Sequence, residues 1–170
     1  MRVKEGGKVA LRVADEVWVS TALLHREHPD QHDFEAREIK RRAEQERQLH
    51  PFVYRSLSSV YQHAIEHCVA NRRRNTGRYR MLFATGPTRR RLYRPGDPFH
   101  ATREGGKTVP EENDLPADYR PLLDWYVSEY CAQGSPTRGD DPILALYGLG
   151  KEIWAGEDAD AYVRRLREGW

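Results

Sequence analysis

Cysteine is scarce in this chain, with two in 170 residues, Cys68 and Cys131, and no CxxC pair. That excludes a disulfide framework and predicts two buried thiols in a reducing compartment. Long apolar runs are missing as well. Nothing approaches the roughly 18 residues that a membrane span needs, and the mean hydropathy is -0.86. The first residues, MRVKEGGKVALRV, have no long apolar core and no small-residue cleavage site, so no secretory signal is expected. A Ser/His/Asp set, a nucleophile elbow, a phosphate loop and a GxGxxG motif are all lacking, and no cofactor is expected.

One further absence is local. Between residues 72 and 94 there are nine arginines and no acidic side chain. Elsewhere the charge is balanced or negative, with 11 basic and 11 acidic residues in 1–71, two and two in 95–110, and six and 13 in 111–170. A net charge of +2 therefore hides one strongly basic block, which predicts a polyanion-facing surface.

Hydrophobic spacing supplies the elements around it. Val13, Val17, Trp18, Thr21 and Leu24 recur at three and four and predict a helix over 13–26. Phe34, Ile39 and Ala43 mark a more highly charged helix over about 35–47, with Asp33 as its cap. Val53, Leu57, Val60, Tyr61, Ala64, Ile65, Cys68 and Val69 predict a third helix over 53–71. RYRMLFATG and RRRLYRPGD read as two strands around a Gly-Pro-Thr turn, and Phe34 adds a short first strand. Residues 95–116 are Gly/Pro-rich and irregular. Tyr119, Leu122, Leu123, Tyr126, Val127 and Tyr130 predict a fourth helix over 117–132, followed by linker composition.

The fold class expected is mainly α with a small β-hairpin (α+β), in the winged helix-turn-helix plan. The parts are an N-terminal arm (1–12), the winged domain (13–97), an irregular segment with an added helix (98–133), a linker (134–141) and a helical tail (142–170).

In such a plan the third helix enters the major groove and the wing reaches the flanking backbone. Base reading then falls to Arg55, Ser58, Ser59, Gln62 and His63, since Gln pairs with adenine and Arg with guanine. Glu66 on the same side repels phosphate and confines contact to the first turns. Arg72, Arg73 and Arg74, at the end of the helix, and Arg78, Arg80, Arg89, Arg90 and Arg91, on the strands and at the wing tip, would hold phosphates through their planar forks. Alternatives stay open. The block is also consistent with a charged edge strand, and Tyr79, Phe83 and Tyr93 between arginines suit single-stranded RNA. His63 and His67 have metal-ligand spacing but no evident fourth partner. Asp30 with Glu38 and Lys40 matches a loose nuclease pattern, although the latter two fall in helical periodicity. Trp18, Tyr126 and Tyr130 are candidates for a homodimer contact.

The tail carries Ile153, Trp154, Tyr162, Val163, Leu166 and Trp170, with Arg164, Arg165 and Arg167, and either folds back or covers a partner. Its residues 148–154, GLGKEIW, and 158–170 resemble the C-terminal tails of toxin–antitoxin antitoxins paired with PIN-domain ribonucleases. Residues 13–133 resemble a family of uncharacterised bacterial winged-helix proteins. Together these resemblances imply a cytoplasmic, nucleoid-associated autorepressor that binds operator DNA. They also imply that its tail wraps a toxin, with Arg164, Arg165 or Arg167 entering the toxin's acidic metal site.

Overall fold

Helix α1 (Val13–Glu27) carries the apolar stripe the sequence predicts, yet nearly all of its residues through His25 are buried, polar ones included. The computed structural model describes residues 11–49 and 57–134. The chain divides into two compact units, 1–132 and 133–170, and almost all of the described residues belong to the first. In that unit a polypeptide turn leads from α1 to strand β1 (Phe34–Glu35) and helix α2 (Ala36–Leu49). Helix α3 (Leu57–Gln62) widens into a π turn (His63–His67). Strands β2 (Leu82–Ala84) and β3 (Arg89–Leu92) follow. After three 3-10 turns the described residues end in a helical run made of α4 (Pro121–Trp125), a π turn (Tyr126–Tyr130) and α5 (Cys131–Gly134). The result is a mixed α/β unit with a three-stranded antiparallel sheet in the order β1-β3-β2.

The charges buried on α1 have partners. Glu16 is held by the Arg47 fork at 2.6 and 2.9 Å, and Asp15 faces Lys107 at 3.1 Å. Burial pushes both carboxyls up, against the pull of those cations. Trp18, Tyr126 and Tyr130, the candidates for a dimer contact, are instead core residues. The indole meets Tyr126 edge-on at 5.7 Å, and Tyr130 donates its hydroxyl to the Leu92 carbonyl at 3.0 Å. Tyrosine hydroxyls thereby fasten the added helix to the end of β3. Val127 on the same run is the exception to the expected apolar face, at 69% exposed. Cys68 is buried and Cys131 only half-buried; both are free thiols.

Two expectations need correction. Asp33 does not cap α2. Its carboxylate accepts from Thr85 and Arg89, and the start of α2 is capped by Glu38, which accepts the Glu35 amide at 2.7 Å. The third helix also stops before residue 71. Past His67 the chain turns extended, with Val69 bridged to Leu82, so Arg72, Arg73 and Arg74 lie in a loop and not on the helix. Val69 remains fully buried through that pairing, which is why the apolar spacing runs on after the helix has ended.

What ends the helix is a pair of arginines from elsewhere in the chain. A helix leaves its last carbonyls without backbone partners. Arg90 donates to the carbonyls of Ala64 and Ile65, and Arg103 to those of Glu66 and His67. Arg103 also reaches the carbonyls of Arg72 (2.7 Å) and Tyr79 (2.8 Å), stitching the arginine loop to the helix end. Both side chains are fully buried, and neither forms a salt bridge with a carboxylate of the described residues. Burial lowers both pKa values, Arg90 to about 10, and each still carries its charge at neutral pH. Gly106 lets the Arg103 segment lie this close, since a Cβ there would sit 1.6 Å from the Arg78 carbonyl oxygen.

A buried acceptor stripped of its donor costs about 1–3 kcal/mol. Arg103→Met is therefore expected to lower stability by at least about 3 kcal/mol, with Arg103→Lys in between, as measured by urea unfolding.

His25 gives a pH prediction. Its ring lies against Phe34 and Tyr130 (centroids 4.9 and 4.7 Å apart) and its Nε2 accepts the Leu92 amide at 3.4 Å. Burial above all, then the nearby Arg94, lowers its pKa from 6.5 to about 3. The unfolded chain binds a proton below pH 6.5 that the folded chain refuses, so stability falls as pH drops through that window. Between pH 7 and 5 the loss is expected to be about 2 kcal/mol by urea unfolding, and to vanish in His25→Gln.

Candidate nucleic-acid interface

Strand alternation decides where the three consecutive arginines go. β3 is the central strand, and Arg90 pairs with Phe34 on one side and Ala84 on the other. Those neighbours belong to the core-facing side of the sheet, together with Leu82 and Leu92, so Arg90 points inward. Arg91 lies on the opposite side but is also buried, forked onto Asp97 at 2.7 Å and lying 4.5 Å over the Phe83 ring. Arg89 is bound to Asp33 at 2.5 Å and faces Glu35 at 3.3 Å. None of the three occupies the hairpin tip, which is Thr85, Gly86, Pro87 and Thr88. The expectation of a wing armed at or near its tip by Arg89, Arg90 and Arg91 is thus overturned for Arg90 and Arg91, which are buried on internal partners, while Arg89 stays partly exposed beside the tip and is ion-paired there.

The rest of the basic block divides similarly. Arg72 is half-buried and donates to the Pro87 carbonyl at 2.8 Å. Arg80 turns under the hairpin, with Nε on the Gly106 carbonyl at 3.2 Å and its guanidinium 4.2 Å over Phe99. Arg94 stacks on Tyr130 at 4.3 Å. Three of the nine arginines, Arg73, Arg74 and Arg78, are exposed and have no carboxylate partner among the described residues.

A second group of cations was not anticipated. Arg37, Lys40 and Arg41 line a groove of about 550 Å³ between α2 and α3, with Glu44, Tyr61 and Gln62. Lys40 lies 3.8 Å from Glu44, whereas Arg37 and Arg41 are exposed and unpaired among the described residues. Their signal was present in the sequence: positions 37, 40, 41 and 44 share one helix face.

Of the side chains expected to read bases, Gln62 is exposed at the groove, and Ser59 and His63 are half-buried. His63 Nδ1 lies 2.8 Å from the Ser59 carbonyl oxygen. Arg55 and the side chain of Ser58 lie outside the described residues, as do all the tail positions from Ile153 to Trp170. A hydrogen-bonded run connects the groove to the arginine loop. Asn75 donates to Glu66 at 2.8 Å, and Gln62 also bonds that carboxylate. Asn75 foremost, then Gln62, holds Glu66 below the usual carboxylate range, so it stays ionised between the two cationic patches.

Residues of the other candidate sites have partners of their own among the described residues. Of the nuclease pattern, Glu38 caps α2 and Lys40 lies 3.8 Å from Glu44. The rings of His63 and His67 are 4.8 Å apart, and His67 Nδ1 lies 2.9 Å from the Thr76 hydroxyl. Among the described residues no group of three or more His, Cys, Asp or Glu is placed to hold a metal, and no helix is long and apolar enough to cross a membrane.

No family model, curated protein or solved structure matches the chain.

The two classes of arginine separate in a stability assay. Gln at positions 73, 74 and 78 together should shift the unfolding free energy by no more than roughly 0.5 kcal/mol per site. Arg90→Met alone should cost about 3 kcal/mol or more, since it orphans helix carbonyls.

Proposed function

We propose that this chain is a winged-helix protein that binds double-stranded DNA, with the exposed side of α3 toward the major groove. The observation that carries this reading is a set of exposed cations with no carboxylate partner among the described residues: Arg37 and Arg41 in the groove with Gln62, and Arg73, Arg74 and Arg78 in the loop that Asn75 joins to Glu66. Free guanidinium forks bind phosphate oxygens and release counterions, which supplies affinity that falls with salt. The exposed amide of Gln62 has the donor and acceptor that an adenine edge requires. The element order helix, strand, helix, helix, hairpin and the β1-β3-β2 sheet support the winged-helix reading. The hairpin contributes through the backbone and hydroxyls of its uncharged tip, while the phosphate contacts fall to the loop at 73–78 and to α2.

The most specific form of the proposal is an antitoxin-like autorepressor, a homodimer on its operator, whose residues 142–170 neutralise a ribonuclease. That part is carried by the tail sequence.

Fluorescence anisotropy across a salt series tests the DNA reading. Replacing Arg73, Arg74 and Arg78 by Gln should weaken all duplexes and lower the slope of log K against log salt by about two to three. Gln62→Ala should leave the slope unchanged and relax the preference among duplexes by about 1–3 kcal/mol. Binding single-stranded RNA as tightly as any duplex would sink the proposal in favour of an RNA-binding protein. Truncation after Gly134 should keep DNA binding and abolish inhibition of a ribonuclease encoded beside it; inhibition that survives truncation removes the antitoxin role.

A further inference from the structure

A cleft of about 450 Å³, sharing no lining residue with the α2–α3 groove, lies between the residues that follow β3 and the fourth helical run. Tyr93, Val109, Leu123, Tyr126 and Val127 contribute its apolar walls, and among the described residues Arg80 is the single charged one lining it. The two tyrosine hydroxyls are already engaged, Tyr93 on the Asp97 carbonyl at 2.9 Å and Tyr126 on the Tyr93 carbonyl, so their contribution to the wall is ring carbon. Arg80 has its Nε on the Gly106 carbonyl and the face of its guanidinium near the rings of Phe99 and Tyr93, at 4.2 and 5.8 Å. No carboxylate of the described residues pairs with it, although Arg89 and Arg91 on the adjoining hairpin each have one.

An apolar cleft with one uncompensated fork selects its occupant by charge and by size. The two terminal nitrogens of a guanidinium match the two oxygens of a carboxylate. One cation neutralises one negative charge, and apolar walls penalise a second. The volume is at the small end for ligand pockets. Val127, 69% exposed, stands at the rim as an aliphatic surface that a hydrocarbon would cover. We propose that this cleft binds a small apolar monocarboxylate, with its carboxylate on Arg80 and its hydrocarbon or aromatic part against Leu123, Tyr126 and Val127.

Calorimetry on the full chain, with benzoate and hexanoate as probes, tests this directly and does not depend on DNA binding. At least one acid should bind saturably, about tenfold or more tighter than benzamide or hexanol. Succinate and inorganic phosphate should bind more weakly than the monoacids. Arg80→Met should cost the acid at least about tenfold and leave the uncharged probes unchanged. Should that variant fail to fold, Val127→Asp, a change at an exposed position, brings a like charge to the rim and should also weaken the acids by about tenfold. No saturable binding up to about 10 mM overturns the proposal. So does equal affinity for the amide, equal affinity for succinate, or acid binding that is unaffected in both variants.

Discussion

The four carbonyls at the end of the third helix, Ala64 to His67, are the point on which the rest of the unit depends. Two buried arginines take them in pairs. The choice of residue is physical. A guanidinium carries five N–H donors in a rigid plane and holds its proton even when burial lowers its pKa. One such side chain can answer carbonyls from several segments at once, and a cation suits the negative end of a helix dipole. Arg90 connects the helix end to the hairpin, where it also takes the Gly86 and Pro87 carbonyls. Arg103 connects it to the loop at 72–79 and so to the segment after residue 95. Lysine, a compact point charge with three donors, could not make both connections.

That constraint changes the meaning of an arginine-rich stretch. A run of one charge invites a reading as a polyanion surface, but a strand sends alternate side chains to opposite faces. Arg90 falls on the buried face by register alone. Arg89 and Arg91 fall on the other face and find Asp33 and Asp97 there. Half-buried stacking on Phe99 and Tyr130 accounts for Arg80 and Arg94. The part of the block left to face a nucleic acid is a loop, and loops held by a rigid scaffold are common places for binding residues.

The helices and the hairpin were legible because their signals are local. Apolar spacing located α1, α2 and the fourth helical run, and Phe34 alone betrayed the short first strand. The end of α3 was not legible, since Cys68 and Val69 are buried for different reasons while keeping helical spacing. Arg103 was out of reach altogether. Its partners lie 24 to 37 residues away in sequence, and an arginine in a Gly/Pro-rich stretch looks like any solvated charge. The cations of α2 share one helix face, but acidic residues interleave with them in sequence, so their charge stands out less than the all-basic block at 72–94. The exposure of Gln62 was readable because it falls opposite the apolar stripe of the third helix.

Glu66 then refines how the proposed interface is built. A carboxylate held ionised by Asn75 and Gln62 lies between the α2 groove and the arginine loop. Phosphates are repelled there and attracted on either side, so two backbone tracks should flank it, as the two edges of one groove would. What can approach Glu66 itself is a hydrogen-bond donor without charge, and in the major groove the exocyclic amine of cytosine is such a donor. On this reading the acidic residue expected to confine contact to the first turns would set the register of the helix. In the proposed complex it would keep α3 off the phosphates and leave Gln62, one helical turn earlier, against the neighbouring base edge.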